Sequence, residues 1–294
     1  MLLLLFWGTK LLLSDYFSKY VVRNLFGLLQ ENVYFCSMKR IVLLFFAAIM
    51  PAIAAMAQPY RFSARLSTYN IRHGEGLDGR IDHERIGRIL RKAHAEVAAI
   101  QEVDSMTRRN GGVYDLAEIG RAAGMHATFA AAIDFQGGKY GVGILSREVP
   151  LSVRRIALPG REEPRMLLVA EFKDYVVACT HLSLHEEDRL SSIGILVAEA
   201  CRWHKPFFVM GDMNDEPGSA FYARMAEHFL FVNDTTEMTF PAGGPTVCID
   251  HIALFRAPGV ALSRCRTWVG DDEASDHCPL HGRVKVVVGN GRFF

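Results

Sequence analysis

No two cysteines of this chain stand at CxxC spacing, which argues against a thiolate-held zinc module. Excess charge is missing too: 33 basic and 32 acidic residues leave a formal net charge of +1. Five Lys/Arg and two Asp/Glu precede residue 58, so the remainder carries 28 basic against 30 acidic groups. Such a chain has no global basic field to gather a polyanion, which disfavours a dedicated nucleic-acid binder and leaves only a local basic cleft open. Repeats, low-complexity runs and linkers are absent after residue 58. What is present suits globular structure. Half of the 294 residues are apolar, with 11 Pro and 25 Gly, which excludes a disordered or fibrous class.

The apolar run 41–57 is short for a membrane-spanning helix and contains Pro51, so a permanent anchor is the weaker reading. Met38-Lys39-Arg40 precedes it and Ala55-Met56-Ala57 closes it. A charged start, an apolar middle and a small-x-small end form the pattern of a secretory signal peptide, cleaved near Ala57. Residues 1–37 are expected to be an upstream extension outside the mature protein, with Met38 the true start; the rival account is a second membrane-associated segment. The expected organisation is therefore a signal at 38–57, one catalytic domain over 58–294, and a secreted or periplasmic location. Five cysteines follow residue 57, an odd number, and read as small buried apolar residues.

Beyond residue 58, strand and helix signals alternate. Phe62, Ala64, Leu66 and Thr68 share one face of a predicted strand that ends in Asn70. Asp82 suits the N-cap of a helix over 83–94, where Ile86, Ile89, Leu90 and Ala93 form an apolar stripe. Apolar runs predict strands at 97–100, 143–146, 167–172, 175–180, 207–210, 249–255 and 284–288. Helices are expected over 114–123, 189–203 and 220–227, the last capped by Ser219. The order argues for one α/β domain.

One event recurs along this order. A strand ends, and a polar residue fit for metal or phosphate chemistry follows: Asn70, Glu102, His181, Asp212 with Asn214, Asp250, then Asp276 with His277. Each alone reads as a cap or a surface charge; the recurrence points to a site. Asp212 and Asn214 lie two apart after the buried run 207–210, so an extended backbone aims both at one object. A hard cation such as Mg²⁺ takes oxygen ligands, including one or two carboxylates, and keeps waters for its substrate. Phosphate-ester hydrolysis needs that cation, an oriented water and donors around the phosphoryl oxygens.

The same residues stand in motifs that occur in a fixed order: STYNIR at 67–72, IQEVD at 100–104, YGVGILSR at 140–147, CTHLS at 179–183, GDMN at 211–214, IDHIAL at 249–254 and SDHCPL at 275–280. This ordered set resembles the endonuclease/exonuclease/phosphatase superfamily, which includes pancreatic-type deoxyribonucleases, abasic-site endonucleases, inositol polyphosphate phosphatases and bacterial sphingomyelinases. The resemblance implies a four-layer α/β sandwich, two face-to-face mixed sheets flanked by helices, with the site at one edge of the sheets. It implies Glu102 as the principal metal ligand, beside Asn70 and Asp276, for Mg²⁺ with Mn²⁺ as a substitute. Asp212 is similar to the residue that orients or deprotonates the attacking water, and Asn214 to the one that fixes it. His277 resembles an imidazole paired with Asp250, and His181 a second imidazole donating to a phosphoryl oxygen.

Three departures stand out. Tyr140 falls where the deoxyribonucleases place an acid that supports the second imidazole, which leaves the partner of His181 open. His251 adds a third imidazole that could alter pH dependence, and Cys248 and Cys278 flank two motifs where a disulfide is conceivable. TRxxG- and EPR-type segments similar to those at 107–112 and 163–165 recur in small bacterial members of the superfamily, which makes Arg165, Arg109 and Tyr140 candidate substrate contacts. Arg165 is the stronger of the two arginines; Arg109 reads equally well as an arginine on a solvated loop.

The leading expectation is a metal-dependent phosphoesterase acting on a small phosphodiester, a phospholipid head group or a sugar or inositol phosphate, with DNA ranked lower and no obligate protein partner evident. The alternatives are a secreted nuclease of the same fold, or a non-catalytic binding protein that keeps the fold. A protein of the latter kind should lack one of Glu102, Asp212, Asn214 or His277, and all four are present.

Overall fold

The computed structural model describes residues 59–270 and 273–289, so the expected extension and signal peptide lie outside the described residues. Its first strand, β1 (Tyr60–Asn70), is half exposed at its start and buried from Leu66 onward, where it passes between neighbours. The chain then forms α1 (His83–Lys92), β2 (Val97–Ser105), α2 (Asp115–Ala123), β3 (His126–Phe135), β4 (Gly138–Ser146), β5 (Ser152–Leu158), β6 (Arg165–Glu171) and β7 (Val176–His181). The second half adds α3 (Glu186–Ala200), β8 (Phe207–Asp212), α4 (Ala220–His228), β9 (Phe229–Phe231), β10 (Asp250–Phe255), β11 (Val260–Val269) and β12 (Leu280–Val288). Asp82 accepts from the Arg85 amide at 2.8 Å and Ser219 from the Tyr222 amide at 3.0 Å, so both expected N-caps are made. Among the described residues no helix is long and apolar enough to cross a membrane.

Twelve strands form two six-stranded mixed sheets, ordered β11-β12-β1-β2-β4-β3 and β5-β6-β7-β8-β10-β9. Each sheet contains one parallel pair, β1 with β2 and β7 with β8, and each pair is bridged by a helix, α1 and α3. Leu66, Ile144, Leu168, Phe208, Ile252 and Val284 pack together between the sheets. α1 and α2 cover the outer face of the first sheet through Ile86, Leu90, Leu116 and Ile119. On the second sheet, Ile193, Leu196, Phe221 and Met225 seat α3 and α4. The result is the expected helix–sheet–sheet–helix sandwich.

All eight interior strands carry a predicted core, and β3, β5, β9 and β11 were not anticipated. Those four are the sheet edges. An edge strand pairs on one side and buries little, and β11 is largely exposed along its length, so its apolar signal is weak. β4 was expected only from Gly143; it starts at Gly138 because glycines let it run close to its neighbours. A Cβ at Gly141 would lie 2.1 Å from the Ala130 carbonyl oxygen. α3 begins before the expected position 189, with three acidic residues in its first turn, a charge placement that favours a helix N-terminus.

Candidate functional site

The two parallel pairs place their C-terminal ends at one edge of the sandwich. In the second sheet His181, Asp212 and Asp250 are lateral neighbours, His181 paired with Asp212 and Asp212 with Asp250. The close seating of β7 on β8 needs Gly211, since a Cβ there would come within 1.9 Å of the Thr180 carbonyl oxygen. In the first sheet Asn70 pairs with Gln101, and Glu102 follows in a bulge where the β2–β4 register shifts between Ile100 and Val103. Glu102 sits there with φ 57°, a left-handed backbone that turns its side chain out of the strand's alternation.

Asn70 joins the two sheets. Its amide nitrogen lies 3.0 Å from Glu102 Oε1 and 3.0 Å from Asp212 Oδ2, while its oxygen accepts from the Arg72 amide at 3.2 Å. Ser275 Oγ lies 2.8 Å from the Asn70 carbonyl and 3.2 Å from Asp276 Oδ1, which docks the segment before β12 beside the same residue. That segment delivers His277, whose Nδ1 is 2.9 Å from Asp250 Oδ2 and whose ring stacks against Phe240 at 4.6 Å. The Asp212 carboxylate is the hub: Asn214 donates its backbone N–H at 2.9 Å, and the Nε2 atoms of His181 and His277 stand 3.4 Å and 3.6 Å from Oδ2. Seven predicted positions thus share one contiguous cluster, and Asp276, a third exposed, borders it.

Charge in this cluster is held in a definite pattern. Burial opposes the imidazolium of His277, but the Asp250 carboxylate and then Asp212 outweigh it and lift its pKa to about 10. Burial pushes Asp250 upward while His277 pulls it down, so the pair shares one proton and titrates as a unit. For His181 burial dominates and lowers the pKa, leaving a neutral ring. Burial alone would raise Asp212, but the charge on His277 and the hydrogen bonds from Asn70 and Asn214 outweigh it and leave its pKa below the usual carboxylate value.

Two donor sets suggest themselves for a metal. Asp212, Asp250 and His277 offer atoms all within 4.8 Å of one another. In this trio His277 Nδ1 is already engaged by Asp250 Oδ2 at 2.9 Å, so it reads as a hydrogen-bonded dyad beside the Asp212 carboxylate. Glu102 and Asp276 offer only carboxylate oxygens, Glu102 uses just Oε1 among the described residues, and Asn70, which turns Nδ2 toward Glu102, would add its oxygen once its amide is turned over. That set fits a hard cation.

Several expectations are corrected. Arg109 is not on a solvated loop with its fork free: Nε and Nη2 grip Asp104 at 2.6 Å and 2.8 Å, and its plane lies 4.6 Å from the Phe135 ring centre. Arg165 is buried, with Nη2 2.9 Å from Glu162 and Nη1 3.4 Å from Glu163, while its Nε has no hydrogen-bond partner among the described residues. Asn214 donates a side-chain N–H to the Leu182 carbonyl at 2.9 Å and its backbone N–H to Asp212 Oδ1 at 2.9 Å. The partner of His181 is Asp212, and Tyr140 instead packs 5.6 Å from Arg109, its phenol pKa raised by burial and then by Glu102. His251 points away from the dyad, against Tyr222 and Phe231, with burial holding its pKa near 4. It stays neutral in the physiological range. No disulfide links Cys248 to Cys278; both are buried.

The sequence reading missed Ser275, although it stands inside the SDH motif, and Glu162. Glu162 accepts from Ser183 Oγ at 2.7 Å and the Leu184 amide at 2.9 Å, tying the loop before β6 to the turn that follows His181. A glutamate beside a second glutamate and an arginine was its only signal.

Comparison with known proteins comes to the same place. Residues 67–277 match the model of the Endonuclease/Exonuclease/phosphatase family. No curated protein matches the chain. Among solved structures, an endonuclease/exonuclease/phosphatase from Beutenbergia cavernae DSM 12333 is 20% identical, with 78% of this chain and 72% of that one covered and a TM-score of 0.58. A mannosyl-6-phosphatase from Bacteroides thetaiotaomicron VPI-5482 is 16% identical, covering 76% and 99% at a TM-score of 0.58. Truncated Caenorhabditis elegans TDP2 is 16% identical, covering 76% and 97% at a TM-score of 0.57.

Proposed function

Because the chain belongs to the endonuclease/exonuclease/phosphatase family, matching its model over residues 67–277, we propose that it is a divalent-metal-dependent phosphoesterase that hydrolyses its substrate by in-line attack of water. One observation carries this reading. Carboxylates from two different sheets, Glu102 and Asp212, meet on the single Asn70 amide beside the imidazoles of His181 and His277.

Glu102, with Asn70 and Asp276, would hold Mg²⁺ or Mn²⁺, which supplies Lewis-acid polarisation of a phosphoryl oxygen. Asp212, ionised and backed by the Asn214 N–H, accepts the proton of the attacking water. His277, protonated on both nitrogens and held by Asp250, turns Nε2 toward the space above Asp212 and donates to charge building on the phosphoryl group. Neutral His181, set by Asp212, donates from the neighbouring strand.

The substrates favoured are small phosphodiesters, phospholipid head groups and sugar or inositol phosphates. Arg109 and Arg165 are already paired with carboxylates, which weakens the case for either as a contact to a nucleic-acid backbone. A structural relative that removes phosphate from a mannosyl group supports the sugar-phosphate option. Secretion or export to the periplasm, with cleavage near Ala57, belongs to the same proposal. The test is turnover of a panel of phosphate monoesters and diesters with Mg²⁺, then with EDTA. Chelated enzyme should be inactive and recover with Mg²⁺ or Mn²⁺, and Glu102→Gln should need more metal for half-maximal rate. Undiminished turnover in excess EDTA would refute the metal assignment.

A further inference from the structure

Glu102 keeps a left-handed backbone that a glutamate seldom holds unless its surroundings enforce it. The ladder between β2 and β4 runs to Ile100 opposite Gly143 and resumes at Val103 opposite Gly141, so Gln101 and Glu102 together face one residue. A one-residue slip of 103–105 would erase the bulge and return Glu102 to the opposite face of the sheet. Something must prevent that slip.

We propose that a buried polar cluster around Asp104 is the lock on this bulge, and that Arg109 is a positioning residue for metal binding, acting through Asp104. The proposal rests on the metal reading of Glu102 given above. Asp104, two residues past Glu102, is held through its amide and both carboxylate oxygens. Its amide donates to Asp115 Oδ2 at 2.8 Å, and Oδ2 accepts from Thr107 Oγ1 at 2.6 Å. Both carboxylate oxygens are taken by the Arg109 fork at 2.6 Å and 2.8 Å. Asp115, the first residue of α2, in turn accepts from Asn110 Nδ2 at 2.5 Å, and its Oδ1 lies 2.9 Å from His83 Nε2 of α1. Asp104, Thr107 and Asp115 are wholly buried, so each of these bonds forms away from competing water. The planar guanidinium, stacked on Phe135 and Tyr140, matches the carboxylate with two parallel bonds, a geometry that lysine cannot reproduce.

A phosphate-binding Arg109 would behave differently. It would act on substrate affinity and leave the metal untouched. The experiment is Mn²⁺ titration by calorimetry, with KM and kcat on an accepted phosphate ester at saturating Mn²⁺, for the full chain and for Glu102→Gln, Arg109→Lys and Thr107→Val. The lock predicts that Arg109→Lys weakens Mn²⁺ binding about tenfold, as supporting residues of metal ligands typically do, with KM at saturating metal changed less than about twofold. Thr107→Val, nearly isosteric, should weaken Mn²⁺ binding in the same direction by a few-fold, and it carries the test should Arg109→Lys not fold. Unchanged Mn²⁺ affinity in these variants, or a rise in KM alone, overturns the lock while Glu102→Gln still reports on the metal site. Wild-type protein that takes up no Mn²⁺, with Glu102→Gln indistinguishable from it, removes the metal reading and the lock together.

Discussion

Asp212→Asn should lower turnover roughly 10³-fold, within the range of a positioned general base, while leaving KM within a few-fold. The carboxylate occupies the one point where both sheets and both imidazoles converge, and its two oxygens accept from Asn214 and Asn70. An asparagine keeps the shape but has a single acceptor oxygen, so one of those two donors loses its partner. It also cannot take a proton from water near neutral pH. The Glu102 and Asp276 carboxylates are untouched, so metal affinity should stay close to wild type. Turnover above a tenth of wild type, in protein of unchanged fold, would remove Asp212 from the role of base.

The second large effect concerns His277 and Asp250. Replacing either with Ala should cost on the order of 10²-fold or more in turnover, and replacing both should cost little beyond one. Asp250 fixes which ring nitrogen faces the site and is the main group raising the His277 pKa against burial, so without it that pKa falls. Without His277, the buried Asp250 has lost its main stabilising partner and helps no reacting group. His251→Ala is the control, because that ring faces Tyr222 and Phe231 on the other side of β10 and should retain most activity per folded molecule. His181 and His277 both approach Asp212 Oδ2, so their separate losses should fall short of multiplying. Independent effects of the Asp250 and His277 changes would break the dyad.

How far all this was legible before the fold was known depends on where each signal lies. Interior strands such as 97–100 and 207–210 are buried on both faces and write continuous apolar runs, so they were readable. Edge strands β3 and β11 bury little: β3 is built largely of alanine between His126 and Asp134, and β11 interleaves Ser, Arg and Thr with its apolar residues, which hid them. Asn70, His181 and Asp212 were readable because parallel strands stop at one edge, so a polar residue closing an apolar run marks the same place in space. Asp250 and His277 depart from the expectation: they stand at or before the starts of β10 and β12, antiparallel strands that begin at that edge. The states of the arginines were not readable. Arg109 and Asp104 lie five apart across a turn whose path no periodicity reveals, and the bulge at Glu102 follows from a register shift that local spacing does not encode.

The most direct test of the account follows the oxygen. Hydrolysis of an accepted phosphate ester in oxygen-18 water, with Mg²⁺ present, should place one heavy oxygen in the phosphate product and none in the released alcohol. The same incubation with Asp212→Asn should yield almost no product. Label in the alcohol, or label in the phosphate at an undiminished rate without Asp212 or metal, would contradict an attack on phosphorus by water prepared at this site.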